Sequence, residues 1–317
     1  MTDRHLILGG GGFIGRHVAL RLARAGHQVL LADRIRPTYT FPADAAPRIS
    51  WQPLEMASAD WDTLVANVAV VHHYAWTSIP ASANANPGGD LTSNVTATLA
   101  ILEALKRHGG GRIVFPSSGG TIYGRLQRVP APEDHPLVPI TAYGAGKATV
   151  EIYLGLYHAL HGIDCRVARI ANPYGVGQDL GRGQGAVTTF LYRALTNQPI
   201  VIWGDGEVVR DYIHVTDVAA ALVALALAPR LDRIQTFNVG SGIGVSLNAI
   251  VAELENRLNR RLNVRREHSR PFDVPISVLD ISRAREVLGW QPRLSFADGI
   301  ERTMADLKEN AALSILD

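Results

Sequence analysis

Tyr143 and Lys147 place a phenol and an ammonium four residues apart, a spacing that on a helix brings both side chains to one face. A tyrosine in water titrates near ~10, too high for a base at neutral pH. A fixed cation beside it stabilises the phenolate and lowers that value. Lysine is scarce here: Lys106, Lys147 and Lys308 are the only lysines among 31 basic residues. Alone, such a pair describes two solvated residues of an ordinary helix, so its meaning depends on the segments around it.

The elements that must position the pair begin at the start of the chain. His5-Leu6-Ile7-Leu8 reads as a buried strand, Gly9-Gly10-Gly11-Gly12-Phe13-Ile14-Gly15 follows at once, and residues 16–25 read as a helix stopped by Gly26. In a strand, glycine turn and helix of this kind, Gly9, Gly12 and Gly15 let the backbone approach a pyrophosphate at the helix N-terminus. A second strand, residues 28–32, ends at Asp33, where a carboxylate accepts from an adenosine ribose and repels a 2′-phosphate. That favours NAD over NADP; Arg34 and Arg36 in the same turn pull the other way.

Strand-like runs (residues 68–71, 112–115, 164–170) alternate with helical patterns (91–105, 143–161). Alternation of this kind predicts an α/β fold, a Rossmann-type doubly wound parallel sheet, whose ligands lie outside the carboxyl ends of the strands. Ser117 and Ser118 fall at one such end and Asn172 at the next. After residue 172 the alternation lapses, so residues 1–172 are expected to form the dinucleotide-binding domain, to which later segments can return. Residues 173–317 are expected to form mainly a smaller α/β substrate domain.

At 317 residues and a formal charge of +2, the chain has no excess charge for a polyanion, and no nucleic-acid partner is expected. No apolar run reaches the ~18 residues of a membrane span, and with a strand beginning within five residues of the first, no signal segment is expected. Its single cysteine, Cys165, reads as a small buried hydrophobe, and a cytoplasmic protein without disulfides is expected. Residues 37–47, rich in Pro and Ala, read as a surface loop. His72, His73 and His214 read as packed or hydrogen-bonded structural histidines, and no Cys/His spacing suggests zinc.

Seven segments in order, spanning nearly the whole chain, resemble the extended short-chain dehydrogenase/reductases, and among them nucleotide-sugar epimerases of the UDP-glucose 4-epimerase type. They are the glycine loop; Asn94-Val95; Ser117-Ser118-Gly119-Gly120-Thr121-Ile122-Tyr123-Gly124; Tyr143 with Lys147; Arg169 through Tyr174-Gly175; Trp203-Gly204-Asp205-Gly206 with Arg210-Asp211-Tyr212-Ile213-His214-Val215; and Arg270-Pro271-Phe272-Asp273. The resemblance implies that Tyr143 takes the proton of a sugar 4-hydroxyl while the C4 hydride passes to NAD, with Lys147 on the cofactor ribose. Return of that hydride to the other face of the 4-keto sugar inverts the stereocentre.

The same resemblance implies cofactor contacts from Phe13, Ile14, Arg34, Leu54, Tyr74, Ala75, Asn94, Ser117 and Pro173. Asn172, Arg210, Tyr212, Arg270 and Asp273 are implied on a UDP-sugar. It also implies a homodimer paired through the 91–105 and 143–161 helices. Two departures stand out. Gly119 occupies the place where the family carries a serine or threonine for the 4-oxygen, so another hydroxyl or a water must take over; strand alternation puts Gly119 and Thr121 on the same side, which favours Thr121, with Ser118 second. Pro53 replaces an aspartate that reads adenine, leaving Glu55 or a backbone carbonyl. Ser277, where some relatives carry a tyrosine, is expected to widen the sugar pocket enough for an N-acetyl group. Three readings follow: a 4-epimerase of a UDP-hexose or its N-acetylated pair, an NAD(P)-dependent ketosugar reductase or dehydrogenase, and a catalytically idle nucleotide-sugar binding protein.

Overall fold

The computed structural model describes residues 3–182, 185–230, 235–269 and 274–313. Arg270 and Asp273 therefore lie outside the described residues. The strands are β1 (Arg4–Leu8), β2 (Gln28–Asp33), β3 (Ile49–Pro53), β4 (Val70–His73), β5 (Arg112–Ser118), β6 (Asp164–Ile170), β7 (Asn172–Tyr174), β8 (Ile200–Trp203), β9 (Val209–His214), β10 (Gln235–Val239), β11 (Gly244–Ser246), β12 (Val264–Glu267) and β13 (Ile276–Ser277). The helices are α1 (Phe13–Arg24), α2 (Trp61–Val65), α3 (Pro80–Ala85), α4 (Pro87–Asp90), α5 (Ala97–Arg107), α6 (Ala142–His161), α7 (Ala186–Leu195), α8 (Val215–Leu227), α9 (Leu247–Leu258), α10 (Ser282–Leu288) and α11 (Phe296–Leu313). A π-helical turn, Leu91–Thr96, leads into α5.

Seven strands form one parallel sheet in the order β3-β2-β1-β4-β5-β6-β10. Because its central strands are buried on both faces they read as continuous apolar runs, and their alternate residues feed two cores. Ile7, Leu31, Val114 and Ala168 join Val18 and Leu22 of α1 and Leu222 of α8 on one side. Leu6, Leu8, Leu30, Phe115 and Val167 join Leu102 of α5 and Val150 of α6 on the other. The doubly wound expectation holds. Chain order does not divide the molecule cleanly, since β10 pairs with β6 at the sheet edge and α8 packs on α1.

A second sheet is built on β9, which pairs with β11 antiparallel and with β7 and β13 in parallel; β8 and β12 form a separate pair. A third core, including Phe190, Ile202, Tyr212, Leu254 and Ile300, sits beneath these strands. Asp211 of β9 is fully buried and accepts from Ser241 N and Oγ (both 2.7 Å), Gly242 N (3.1 Å) and Leu279 N (3.3 Å), which ties β9 to two loops. No helix among the described residues is long and apolar enough to cross a membrane.

The histidines at the sheet ends are structural. His73 Nε2 bonds Thr98 Oγ1 at 2.8 Å, His214 Nδ1 caps α8 through Thr216, and His17 Nε2 reaches Val176 O at 3.1 Å. Burial lowers His5, His17 and His214 to about 4 and His73 to about 3. Between those values and the ordinary ~6.5 the unfolded chain binds more protons than the folded one, so stability present above pH ~6.5 is lost as pH falls. The urea midpoint should therefore drop between pH 7 and pH 5, where most carboxylates remain ionised. An unchanged midpoint over that interval would show that these rings take up protons without cost to the fold.

Candidate active site

One cavity of about 940 Å³ runs from the glycine loop past the carboxyl ends of the main sheet to β8 and β9. Its floor at one end is the turn between β1 and α1. Gly9 adopts φ +75°, and a Cβ there would stand 2.7 Å from Ala75 N; a Cβ on Gly15 would stand 2.6 Å from Gly9 O. Gly12 caps α1 without a side-chain acceptor, leaving the first-turn N–H groups to a ligand. Asp33 Oδ2 accepts from Gly11 N at 2.9 Å and Oδ1 from Arg34 N at 2.8 Å, so the carboxylate is clamped at the cavity wall. Arg34 also lines the cavity, whereas the Arg36 guanidinium lies over the Trp51 ring. Phe13, Ile14, Leu54, Glu55, Tyr74 and Ala75 complete this end.

Thr141 starts α6 by accepting from Gly144 N at 3.1 Å, which fixes Tyr143 in the first turn and Lys147 one turn later. Both line the cavity. Lys147 is 3% exposed; its Nζ donates to Pro116 O at 2.8 Å and lies 3.8 Å from the Trp76 ring centroid, 4.5 Å from that of Phe115 and 5.7 Å from that of Tyr143. Burial lowers this ammonium to about 7, while Asp90 and Glu151 resist the fall. Burial raises the Tyr143 phenol well above its ordinary value, with Asp90 adding to the rise. Here the expectation drawn from the pair alone is corrected. Lys147 is turned to a carbonyl and two rings, so the phenol keeps its proton in this arrangement.

Trp76 was invisible to motif reasoning, since nothing in the chain marks a tryptophan after a strand as a cation's partner. Its ring is T-shaped to Tyr143 at 6.0 Å, and its Nε1 donates to Ser78 Oγ at 3.1 Å. Ser78 Oγ in turn donates to Asp90 Oδ1. Asn94 does not line the cavity. Its Nδ2 donates to Asp90 O (3.0 Å) and Oδ1 (2.9 Å), and its Oδ1 accepts from Thr77 N (2.9 Å), so it shapes the cavity loop from behind.

Beyond Ser118 the strand gives way to a turn in which both Thr121 N and Ile122 N donate to Ser118 O. Strand alternation therefore stops. A Cβ on Gly119 would stand 2.5 Å from Leu279 Cδ1, on the core side, so Gly119 and Thr121 do not share a face. Ser117, Ser118, Gly120 and Thr121 line the cavity, and the Ser117 and Thr121 hydroxyls are buried without a partner. Asn172 and Pro173, in β7, and Arg210 and Tyr212, in β9, line its far part with Phe190, Arg193, Trp203 and Val274. Arg210 Nη1 donates to Val274 O at 2.7 Å. Ser277 is 3% exposed, pairs with Arg210 in the β13–β9 ladder, and does not line the cavity. The wall next to it is formed by Arg210 and Val274, so the widening expected of Ser277 is not seen in this cavity.

Comparison with known proteins agrees with this geometry. Residues 5–240 match the model of the NAD dependent epimerase/dehydratase family. The chain belongs to that family. It is 34% identical to the UDP-glucose 4-epimerase of Mycolicibacterium smegmatis over 95% of this chain and 97% of that one. It is 30% identical to the Escherichia coli dTDP-4-dehydro-6-deoxyglucose reductase, over 96% and 97%. Among solved structures, the Thermotoga maritima UDP-glucose 4-epimerase with UDP-glucose superposes with a TM-score of 0.89 at 29% identity, covering 97% of this chain and 99% of that one. The residues present fit the dinucleotide the family uses: glycines whose missing Cβ lets the β1–α1 turn close on itself, first-turn N–H groups without a capping side chain, a clamped Asp33 and orphaned hydroxyls facing the cavity.

The Lys147 site yields a pH signature. Its proton is bound by the unfolded chain up to ~10.4 but leaves the ligand-free folded protein near 7. Stability of the ligand-free protein should therefore rise from pH 7 toward 10, by up to about 1.4 kcal/mol per pH unit from this group. Lys147→Met, measured by urea unfolding at pH 7 to 9.5, should lack that slope. Equal slopes in the two proteins would place the ammonium in solvent.

Proposed function

We propose that this protein is an NAD-dependent 4-epimerase of a UDP-hexose, the UDP-glucose/UDP-galactose pair or its N-acetylated counterpart. The observation that carries the reading is that Tyr143, Ser118 and Thr121 line one cavity with both the glycine loop and the β9 residues Arg210 and Tyr212. Cofactor and nucleotide sugar can thus meet at the Tyr143 phenol.

Bound NAD supplies one thing, a hydride acceptor that can return what it takes. The chain supplies the rest. Tyr143, as the phenolate with its own proton given up to solvent, would take the proton of the sugar 4-hydroxyl as the hydride leaves and return it when the hydride comes back; Lys147 is the buried cation one helical turn away, 5.7 Å from the ring, that favours the phenolate. Ser118 and Thr121 offer hydroxyls to the 4-oxygen. Arg210, with its bidentate fork, and Tyr212 hold the nucleotide part; Arg193 extends the same wall. Arg270 and Asp273 belong to this proposal through resemblance. At Gly120 a Cβ would meet only the Asn172 amide at 3.7 Å, and Ala81 is also on the wall, so small residues leave room beside the reacting sugar.

The reductase reading rests on the Escherichia coli relative and differs in one readout: it consumes reduced cofactor in step with product. Purified protein should convert UDP-glucose or UDP-N-acetylglucosamine to the C4 epimer with no cofactor turnover, read by nucleotide-sugar chromatography and absorbance at 340 nm. Tyr143→Phe should lower kcat by a factor of about 10² or more while nucleotide binding persists. Thr121→Val and Ser118→Ala should each slow turnover with little loss of stability. Stoichiometric oxidation of NADPH with a ketosugar, or a Tyr143→Phe protein of full activity, would reject the epimerase assignment.

We also propose a homodimer. Ile152, Leu156 and Leu160 form a stripe on α6 that is 69%, 45% and 66% exposed, one helical turn apart, and Leu91 (51% exposed) begins the π-helical turn that leads into α5. A stripe of this width on a helix seeks a partner, and a two-fold through α5 and α6 would make a bundle of four helices. Leu156→Glu combined with Leu160→Glu should give monomers by light scattering. A wild type that is monomeric at micromolar concentration would reject the assembly.

A further inference from the structure

The amino end of the main sheet carries a side-chain cluster that the cofactor cavity does not use. His5 is the second residue of β1 and fully buried; His27 stands in the turn leading into β2; Asp3 precedes β1 and its carbonyl accepts from Gln28 N at 3.1 Å. Parallel pairing of β1 with β2, Arg4 opposite Gln28, sets the three side by side. One donor atom from each lies within 4.8 Å of the other two. His5 Nε2 and His27 Nδ1 are both buried and have no hydrogen-bond partner, while the two rings stand edge to face at 4.8 Å. Buried ring nitrogens ordinarily find a partner. Two unpartnered ring nitrogens in a cluster whose donor atoms lie this close together describe a ligand's place.

We propose that Asp3, His5 and His27 bind one divalent transition-metal ion of the zinc class. Two imidazoles and a carboxylate are borderline donors that suit such an ion and not magnesium or calcium, which demand oxygen. Bonds of ~2.0–2.1 Å around a tetrahedral ion bring ligand atoms to roughly 3.4 Å from one another. Closing to that spacing falls on the turn that holds His27, next to Gly26 at φ +95°. A fourth position is left to water. Arg112, whose charge reaches His5, is held by Asp164 with Nε to Oδ2 at 2.8 Å, so its field at the site is offset.

The other side of His5 is already arranged as a ligand's support. Its Nδ1 lies 2.9 Å from His72 Nε2, and His72 Nδ1 lies 2.8 Å from the Tyr74 hydroxyl. A metal takes the lone pair of His5 Nε2, which puts the proton on Nδ1; His5 then donates to His72, and His72 donates to the Tyr74 oxygen. Without metal the chain can run the other way, leaving an N–H of His5 aimed at nothing. Occupancy therefore sets the tautomers of a chain that ends on Tyr74, a residue of the cofactor cavity wall.

The test uses the full chain freed of any histidine tag, stripped with chelator, desalted and titrated with zinc chloride by calorimetry, with thermal unfolding in parallel. One equivalent should bind and raise the unfolding temperature, and magnesium should do neither. His27→Ala and Asp3→Asn, both outside the sheet's interior and checked for native circular dichroism, should each weaken zinc binding at least tenfold and abolish the thermal shift. Absence of equimolar binding to the wild type would overturn the site. Equal affinity in both variants would assign the zinc to other histidines and overturn it as well.

Discussion

The buried ammonium of Lys147 is the constraint on which the rest of the site depends. A cation taken out of water must be met by dipoles and ring faces or lose its proton, and Lys147 is met by three groups from two places: Pro116 O and the Phe115 ring of β5, and the Trp76 ring after β4. Satisfying it therefore fixes the first two turns of α6 against the carboxyl ends of two neighbouring strands. Tyr143, one turn earlier, has no freedom left in where it stands. The Ser78–Asp90–Asn94 network then holds the loop that carries Trp76, which makes the cation's partners as rigid as the cation.

A second buried charge carries that order onward. Glu151, one turn beyond Lys147 on α6, pairs bidentately with Arg169 of β6, Oε2 to Nη2 at 2.7 Å. Arg169 also donates to the Tyr123 hydroxyl at 3.0 Å and Glu133 O at 2.8 Å, and Tyr123 donates to Asn238 of β10 at 2.7 Å. Breaking such a pair leaves one charge uncompensated in the interior, so α6, β6, β10 and the turn after β5 move together or not at all. Asp211 does the corresponding work in the second sheet. Between these anchors lie the residues that must yield to ligands: the glycine loop, Ser117 and Thr121 with their unpaired hydroxyls, and Arg210 on β9.

Much of this was legible in the chain. Apolar runs and a glycine turn are local properties, set by strand burial and by backbone that a Cβ would obstruct, so β1, α1, β2, β5, α6 and β6 stand within a few residues of where periodicity puts them. The cavity residues drawn from short motifs, Asp33, Ser117, Ser118, Tyr143, Lys147, Asn172, Arg210 and Tyr212, are brought together. The errors share one cause. Gly119 and Asn94 were assigned a facing from their spacing to a motif, and facing is decided by the turn after Ser118 and by the hydrogen bonds that tie the amide to Asp90 and Thr77.

What the sequence determined by itself is therefore the class of chemistry and the parallel sheet that presents it, because residue type and period act over a few residues of chain. Tertiary structure alone decided the state of the groups. Whether Tyr143 keeps its proton depends on burial and on Asp90, 53 positions away in number but adjacent in space. Whether Lys147 is charged depends on its burial, opposed by Asp90 and Glu151. Asp3, His5 and His27 show the same division: along the chain they form no metal-binding pattern, and it is the parallel register of β1 with β2 that brings their donor atoms within 4.8 Å of one another.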